Sequence, residues 1–173
     1  MTLRLLVILF GVAVLASCAS LSEDACRKGD WGAIGFRDGD AGRAPSFVVN
    51  HAKACNKIGI APNRQSWEVG YDQGLIRYCI PARAFEEGRD GARLNNVCPA
   101  GNLAELRAAN ARGLEWYGIE RDIRANRNRI HAIDAALSDI ADGEDARTQL
   151  VAERSILRLE NLRLRQQQRR IRF

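Results

Sequence analysis

His51 and Cys55 are the residues whose types and spacing come closest to a catalytic pair. They lie four residues apart, so on a helix the side chains are one turn from each other, and an imidazole at that distance can activate a thiol as a nucleophile. The 173 residues include only two histidines, which limits acid-base chemistry near neutral pH. An enzyme using His51 is conceivable only if Cys55 is a free thiol, because a sulfur in a disulfide cannot attack.

Other chemical motifs are weak or missing. Asp38-Gly39-Asp40 has the first two carboxylates of a calcium loop, but the next ligand positions hold Gly42 and Ala44 and no terminal Glu follows. The sequence contains no Gly-x-Ser-x-Gly, no phosphate-binding Gly-Lys-Ser and no His-Glu-x-x-His. We therefore predict no catalytic residues, no metal site, no cofactor and no enzymatic activity.

The first 17 residues have the pattern of a secretory leader. Arg4 precedes an apolar run of 12 residues, Leu5 to Ala16, which is too short for a membrane span of about 20 residues but typical of a signal peptide. The run ends in Leu15-Ala16-Ser17-Cys18, which resembles the bacterial lipobox. That resemblance implies that Cys18 becomes the acylated N-terminus. Because Ala19 and not Asp follows it, we expect a periplasm-facing lipoprotein of the outer membrane.

The four remaining cysteines, Cys26, Cys55, Cys79 and Cys98, are an even number in an oxidising compartment, which predicts two disulfides. Their spacings are 29, 24 and 19 residues, without a Cys-x-x-Cys pair, so a zinc ribbon or a thioredoxin-like site is disfavoured. Three pairings remain open. We prefer the sequential one, since it closes the shortest loops.

Two regions of different composition follow the leader. All four prolines lie between residues 45 and 99 in a Gly-rich stretch, and none occurs from Asn102 onward. The turn signal at Pro99-Ala100-Gly101, followed by Asn102 as a helix cap, marks the boundary. We predict a leader at 1–17, a lipid-anchored linker at 18–25, a Cys- and Gly-rich domain at 26–101 and a helical hairpin at 102–173.

The Gly-rich region contains a loose internal repeat. An aromatic residue followed by two glycines three or four residues apart occurs at Trp31, at Trp67 and, more faintly, at Phe85. On a helix this spacing puts both glycines on one face, where another backbone can approach closely. Short strands joined at the glycines are the alternative. We favour helices, because Asn63 and Ser66 suit a helix start before Trp67.

This pattern resembles a bacterial lipoprotein family known only as a domain of unknown function, of the DUF 2799 type. The resemblance covers about residues 26–113, and its most specific elements are Tyr78-Cys79-x-Pro81 and Val97-Cys98-Pro99. It implies a small envelope lipoprotein with a helical tail and no assigned catalytic residues. One departure is Asn95-Asn96, where the family leads us to expect an aromatic residue.

The second region has the periodicity of a long helical hairpin. Apolar residues recur at steps of three and four, broken only by Asn126, as in a coiled-coil seam; they are Trp116, Ile119, Ile123, Ile130, Ile133, Leu137 and Ile140. Asp142-Gly143 interrupts the pattern. A second apolar stripe then comprises Leu150, Ile156, Leu157, Leu164 and Ile171. Val151, Leu159 and Leu162 fall on the opposite side and need a further partner, either the Cys-rich domain or a second copy of the chain.

Arginine is concentrated at the end of the chain. The last twenty residues hold seven Arg and one Glu, against a net charge of +5 for the whole sequence. Arginine can grip phosphate with two hydrogen bonds, so an anion site is predicted at Arg163, Arg165, Arg169, Arg170 and Arg172. A solvated helix face, partly paired with acidic residues such as Asp134, is the alternative, and nucleic acid is excluded by the predicted location.

The sequence thus predicts a mainly α protein in which a small disulfide-stapled, Gly-rich helical domain precedes a long antiparallel, coiled-coil-like hairpin. The expected function is a structural or interaction module, attached to the membrane through acylated Cys18. Its partner would be an envelope protein, a glycolipid or a second copy joined through the hairpin. The alternative is binding of an envelope polyanion, such as a glycolipid phosphate, by the Arg-rich arm.

Overall fold

The structure, a computed structural model, describes residues 20–140 and 145–172. This part of the chain forms seven α-helices and no strand, which confirms the predicted mainly α fold. The helices are α1 (Glu23–Lys28), α2 (Trp31–Asp40), α3 (Val48–Cys55), α4 (Arg64–Tyr78), α5 (Pro81–Arg89), α6 (Leu103–Asp139) and α7 (Asp145–Arg170). Short 3-10 turns precede α3 and α6 and follow α3.

The chain divides into two compact units. Among the described residues, the first unit contains 20–78 and 95–98, and the second contains 79–94 and 99–172. This division differs from the predicted boundary near residue 101. The reason is that α5 packs along α6, so it belongs with the hairpin and not with the Gly-rich helices before it.

The first unit is built on α2 and α4, whose backbones are in direct contact. A Cβ added to Gly35 of α2 would overlap the carbonyl of Trp67, and a Cβ added to Gly70 of α4 would overlap the carbonyl of Gly32. The glycines four residues further along each helix make the same kind of contact. The two aromatic-and-glycine segments are therefore helices with facing glycine grooves. Of the two alternatives from the sequence, the helical one is confirmed.

Large apolar side chains pack around the contact between α2 and α4 and form the core of this unit. The buried core contains Cys26, Trp31, Ile34, Val48, Cys55, Trp67 and Tyr71. The Cys26–Cys55 disulfide joins α1 to α3 within that core, with the two Cα atoms 5.5 Å apart. The short helix α1 is thus fixed covalently to the unit.

The helix starts agree only in part with the predicted caps. Asn63 caps α4, since its Oδ1 accepts a hydrogen bond from the Ser66 backbone N–H at 3.0 Å. Ser66 itself lies inside α4, so its assignment as a cap was wrong. Asn102 precedes α6 without a capping bond; its side-chain Nδ2 donates to the Cys79 carbonyl at 3.2 Å.

In the second unit, the backbones of α5 and α6 are in direct contact at glycines, as those of α2 and α4 are in the first unit. A Cβ on Gly88 would overlap the Asn110 carbonyl, and a Cβ on Gly113 would overlap the Phe85 carbonyl. The buried Asn110 side chain fastens the end of α5, since its Nδ2 donates to the carbonyls of Ala84 and Ala92, both at 3.0 Å. In the faint third copy of the repeat, therefore, Gly88 serves helix packing, whereas Gly91 lies in the turn after α5 with a positive φ of 83°.

The helices α6 and α7 pack antiparallel, as predicted. Ile119, Ile123 and Leu164 form a buried cluster in the seam. Asn126 fits the apolar seam because its Nδ2 donates to Oδ1 of Asn161 at 3.2 Å, and a paired polar residue of this kind fixes register. The predicted turn at Asp142-Gly143 lies outside the described residues.

Ion pairs border the seam. Arg129 donates two hydrogen bonds to Glu153, at 2.7 and 2.9 Å, and Arg154 donates to Asp134 at 2.8 Å. The hydrogen bond from Arg129 lowers the pKa of Glu153, and the one from Arg154 lowers the pKa of Asp134. Within residues 20–140 and 145–172, no helix is long and apolar enough to cross a membrane.

Candidate functional site

Three helices of the first unit meet at one buried carboxylate, that of Asp38. Asp38 lies on the face of α2 that also carries Trp31 and Ile34, so the carboxylate enters the core. His51 comes from α3 and Trp67 from α4. The exposure of Asp38, His51 and Trp67 is 1% each. The cluster is therefore internal to the unit.

Asp38 accepts hydrogen bonds from three donors. Its Oδ2 accepts from Nε2 of His51 and from Nε1 of Trp67, both at 2.8 Å. Its Oδ1 accepts from the Arg43 guanidinium, also at 2.8 Å. A buried ion costs several kcal/mol unless it is paired and hydrogen-bonded, so these donors allow the carboxylate to remain charged inside the core.

The pKa of Asp38 reflects a competition. Burial raises it, while the hydrogen bonds from His51 and Trp67, the attraction to His51 and the hydrogen bond from Arg43 lower it. Together, the hydrogen bonds and the attraction outweigh the effect of burial, so the pKa of Asp38 lies below the ordinary value of an aspartate. Asp38 is therefore ionised at neutral pH.

The second nitrogen of His51 extends this chain of hydrogen bonds to Ser20. Nδ1 lies 2.9 Å from Oγ of Ser20. Because the Asp38 carboxylate only accepts, Nε2 carries a proton, and in a neutral imidazole Nδ1 then accepts from the Ser20 hydroxyl. The next residue, Leu21, packs against the core of the unit.

The segment predicted as a linker is therefore part of the folded unit from Ser20 onward. After Leu21, the Ser22 hydroxyl accepts a hydrogen bond from the Ala25 backbone and caps α1, which begins at Glu23. No local sequence pattern indicates that Ser20 belongs to the unit, because its hydrogen-bond partner is a histidine 31 residues further along the chain.

Ser20, His51 and Asp38 have the order of groups found in a serine-histidine-aspartate triad. A catalytic histidine must reach the leaving group of a substrate as well as the nucleophile. The His51 ring is 1% exposed and both its nitrogens are hydrogen-bonded within the unit. Cys55, the nucleophile considered with His51, is bonded to Cys26 and holds no thiol. The geometry therefore favours a structural role for the cluster.

The segment Asp38-Gly39-Asp40 lies within α2 and not in a loop. Both oxygens of Asp38 are hydrogen-bonded, and Asp40 pairs with Arg77 at 3.3 Å. The described residues contain no group of three or more His, Cys, Asp or Glu side chains that could hold a metal ion.

Both predicted disulfides are present. Cys26 is bonded to Cys55, which agrees with the preferred pairing, and Cys79 and Cys98 are also disulfide-bonded. Cys18 lies outside the described residues, so its acylation stays a prediction.

The predicted anion-binding arginines occupy the end of α7 and the residues just after it. All five are exposed; they are Arg163, Arg165, Arg169, Arg170 and Arg172. Arg163 pairs with Glu160 at 4.0 Å. Cations at the C-terminal end of a helix also complement its dipole, which accounts for part of their placement without any ligand.

One face of α7 carries exposed apolar side chains. Val151, Leu159 and Leu162 are 38%, 67% and 63% exposed, on the side opposite the seam as predicted. Ile156 is 64% exposed, so its assignment to the seam was wrong: it lies about 100° around the helix from Leu157. We call Val151, Ile156, Leu159 and Leu162 the outer stripe.

The sequence did contain a signal for the buried cluster. Asp38 follows Trp31 by seven residues and Ile34 by four, so a charge falls on the apolar face of a helix and needs a buried partner. Nothing in the pattern identified Ser20, Arg43 or Trp67 as members. His51 is hydrogen-bonded to Asp38 and lies four residues before the disulfide-bonded Cys55.

Comparison with known proteins agrees with the resemblance seen in the sequence. Residues 30–115 match the family model described as a protein of unknown function (DUF2799), so this segment belongs to that family. The match includes Asp38, His51 and Trp67, whereas Ser20 and α7 lie outside it. No curated protein and no solved structure is significantly similar to the chain.

Proposed function

We propose that this chain is a lipid-anchored protein of the bacterial envelope that serves as an interaction module and not as an enzyme. Acylation at Cys18 would hold it on the periplasmic face of the outer membrane. The leader that ends in Leu15-Ala16-Ser17-Cys18 and the disulfides, which suit an oxidising compartment, support this location. The enclosed His51 ring supports a non-enzymatic role.

The observation that carries the interaction role is the outer stripe of α7. Ile156, Leu159 and Leu162 are each more than 60% exposed, although α7 already has an apolar seam against α6. A helix of a hairpin needs one apolar face, and a second, exposed face is typical of a binding surface. Ile156 and Leu159 line a shallow depression together with Glu160 and Arg163.

The charges around the stripe indicate what its partner is like. At 100° per residue, Arg158, Arg163, Arg169 and Arg170 lie within or beside the arc that holds the stripe. Two acidic residues of α7 (Asp145–Arg170) lie on or near that arc, Asp145 at the start of the helix and Glu160 just outside the arc, so arginines outnumber carboxylates around the stripe. The stripe therefore fits an envelope protein whose own apolar surface is bordered by carboxylates.

Photocrosslinking in cells tests this role. A photoreactive amino acid at Leu159 samples the outer stripe, and the same residue at Ala132, which is exposed on the back of α6, is the matched control. We expect a single crosslinked protein from Leu159, none from Ala132, and loss of the product when Leu162→Glu is added. The product is identified by mass, and the acidic border of its apolar surface is then tested by neutralising substitutions.

Each other outcome counts against a protein partner of this kind. A product of twice the mass of the chain would make the partner a second copy, and a partner without an acidic border would contradict the charge argument. Products with lipid alone would replace the protein partner by an anionic amphiphile.

The exposed arginines support a second candidate, binding of an envelope polyanion such as a glycolipid phosphate. The described structure gives Arg163 an acidic partner at 4.0 Å, which is weak and exposed. Binding to glycolipid-phosphate vesicles should weaken steeply with ionic strength, and Arg169→Ala, Arg170→Ala and Arg172→Ala together should weaken it further. Binding that is insensitive to salt would argue against this candidate.

The anchor itself has a direct test. The mass of Cys18 in protein purified from cells should include the acyl chains, and Cys18→Ser should release the chain from the membrane fraction. An unmodified Cys18 in the wild-type protein would contradict the proposal.

A further inference from the structure

The outer stripe of α7 lies along a second line of residues with coiled-coil spacing. Positions on this side of the helix recur at alternating steps of three and four; they are Ala152, Ser155, Leu159, Leu162, Gln166 and Arg169. Such steps are what one helix presents to another in a coiled coil. The seam against α6 has the same period, since Leu157 and Leu164 are seven residues apart. The helix α7 therefore has two seams on opposite sides, one packed on α6 and one exposed.

The first half of the exposed seam suits close contact with another helix. Ala152 and Ser155 are small, and they lie between the larger side chains of Val151 and Ile156. Small side chains at the contact allow a short distance between helix axes. The Ser155 hydroxyl donates to the Val151 carbonyl at 2.9 Å, so a helix that covers it leaves no hydroxyl proton unpaired.

Two columns of residues border the exposed seam, and both change from apolar to basic along α7. Each column repeats every seven residues; they are Val151, Arg158 and Arg165 on one side and Ile156, Arg163 and Arg170 on the other. In a coiled coil, the positions beside the apolar seam carry the charges that pair with the other helix. We call Arg158, Arg163, Arg165 and Arg170 the flanking arginines.

The flanking arginines make little use of the acidic residues of their own chain. All four are exposed. Within residues 20–140 and 145–172, Arg163 is the one of the four with an acidic side chain within 4.0 Å, that of Glu160. By contrast, Arg129 and Arg154 beside the packed seam pair with carboxylates of the facing helix, at 2.7 and 2.8 Å. The charges that border the exposed seam can therefore pair with a partner.

We propose that the partner of the outer stripe contributes a single α-helix, which packs along α7 on the side opposite α6. Its contact face carries apolar residues at steps of three and four and, on both borders, Glu or Asp opposite the flanking arginines. The proposal rests on the interaction role put forward above. It goes further by specifying the secondary structure of the binding element and its charge pattern, since a strand or a sheet surface does not repeat with a period of seven residues.

The spacing of crosslinks along the partner tests the helix. Photoreactive residues are placed at Val151 or Leu162 of the full-length protein in cells, and the crosslinked residue of the partner is located by mass spectrometry. The probes are about 16 Å apart along α7 and about 20° apart around it. The two attachment points on a partner helix should lie roughly eleven residues apart, whereas those on a strand would lie about five residues apart.

Reversing the charge of one border tests the flanking arginines. Arg158→Glu combined with Arg165→Glu changes that border, and Arg121→Glu combined with Arg124→Glu makes the same change in net charge at exposed positions on the back of α6. We expect the Leu162 crosslink to fall at least tenfold in the first variant and less than twofold in the matched control. Replacing the facing carboxylates of the partner by Lys should then restore at least half of the product, which a misfolded variant could not do.

The outcomes separate this proposal from the interaction role. Attachment points about five residues apart, or scattered over several segments of one protein, would overturn the helix and leave the interaction role in place. Equal losses in the two charge variants, or no loss in either, would overturn the charge pattern. If neither probe yields a protein product, the interaction role and the helix fall together.

Discussion

Replacing Gly70 by alanine should destabilise the first unit strongly, although alanine is the better helix former. The added Cβ would overlap the Gly32 carbonyl oxygen and would lie 2.8 Å from the Gly32 carbonyl carbon and 3.0 Å from the Phe36 nitrogen. These are backbone atoms of α2, which cannot rotate away as a side chain could. The two helices must therefore separate.

The magnitude follows from two opposing effects. Overpacking typically costs about 1 to 3 kcal/mol, and the upper end applies because the obstacle is backbone. Replacing Gly by Ala inside a helix gains about 1 kcal/mol. We expect a net loss of about 2 kcal/mol in the free energy of unfolding.

Gly32→Ala is the matched control in the same helix pair. A Cβ there would meet the Ser66 carbonyl oxygen at 3.8 Å, an ordinary contact, so the variant should be as stable as the wild type or up to about 1 kcal/mol more stable. Urea unfolding of the purified Cys18→Ser chain measures both variants. Equal stabilities for Gly70→Ala and Gly32→Ala would refute the argument that the backbones of α2 and α4 are too close at Gly70 to admit a Cβ.

Three further predictions concern the cluster, the disulfide and the hairpin. Asp38→Asn should lower the free energy of unfolding by about 3 kcal/mol at pH 7, since the buried donors lose their charged acceptor. Because the folded-state pKa of Asp38 is lowered, the wild type keeps this contribution above about pH 4 and loses it as the pH falls further. The variant has no such contribution to lose, so the difference between the two should shrink in urea titrations from pH 7 to pH 3. Replacing both Cys26 and Cys55 by alanine should cost about 3 to 4 kcal/mol, the value for a loop of 29 residues, and a loss below 1 kcal/mol by the same assay would contradict it. Ile123→Ala, at a residue 1% exposed, should cost about 2 to 4 kcal/mol, while Leu159→Ala should change stability by less than about 0.5 kcal/mol; similar losses would mean that the outer stripe is covered.

The features predicted correctly are those set by neighbours along the chain. The seam of α6 follows from a long repeat without proline, and Asn126 within it finds Asn161 on the facing helix. The glycine pairs of α2 and α4 predicted close backbone contact because helix geometry alone puts them on one face.

The features missed depend on contacts between distant residues. Asp38 is joined to Trp67 across 29 positions and His51 to Ser20 across 31, and no local pattern encodes such pairs. The boundary between the two units was missed for a similar reason, since α5 packs on α6 through the close contact of Gly88 and Gly113, which are 25 residues apart in the sequence. Ile156 was misplaced because a residue at the edge of a helical stripe can fall on either side of it.

Asn95 illustrates how a departure from a family pattern can be accommodated. Its side-chain amide donates to the Gly42 carbonyl at 2.9 Å, and its backbone N–H donates to the Tyr78 hydroxyl at 3.0 Å. An aromatic residue would have contributed packing at this position, and Asn95 contributes hydrogen bonds that hold its own loop to the first unit.

If Cys18 anchors the chain as proposed, the Cys26–Cys55 bond also sets the path that tension takes through it. Tension applied at the N-terminus passes from α1 across the sulfur bridge directly into α3, so the chain between residues 26 and 55, which includes α2 and Asp38, carries none of it. The 29 residues of this loop would otherwise lengthen by about 100 Å when pulled out at roughly 3.5 Å per residue. In single-molecule stretching, reduction of this bridge should therefore appear as an added extension of about that length.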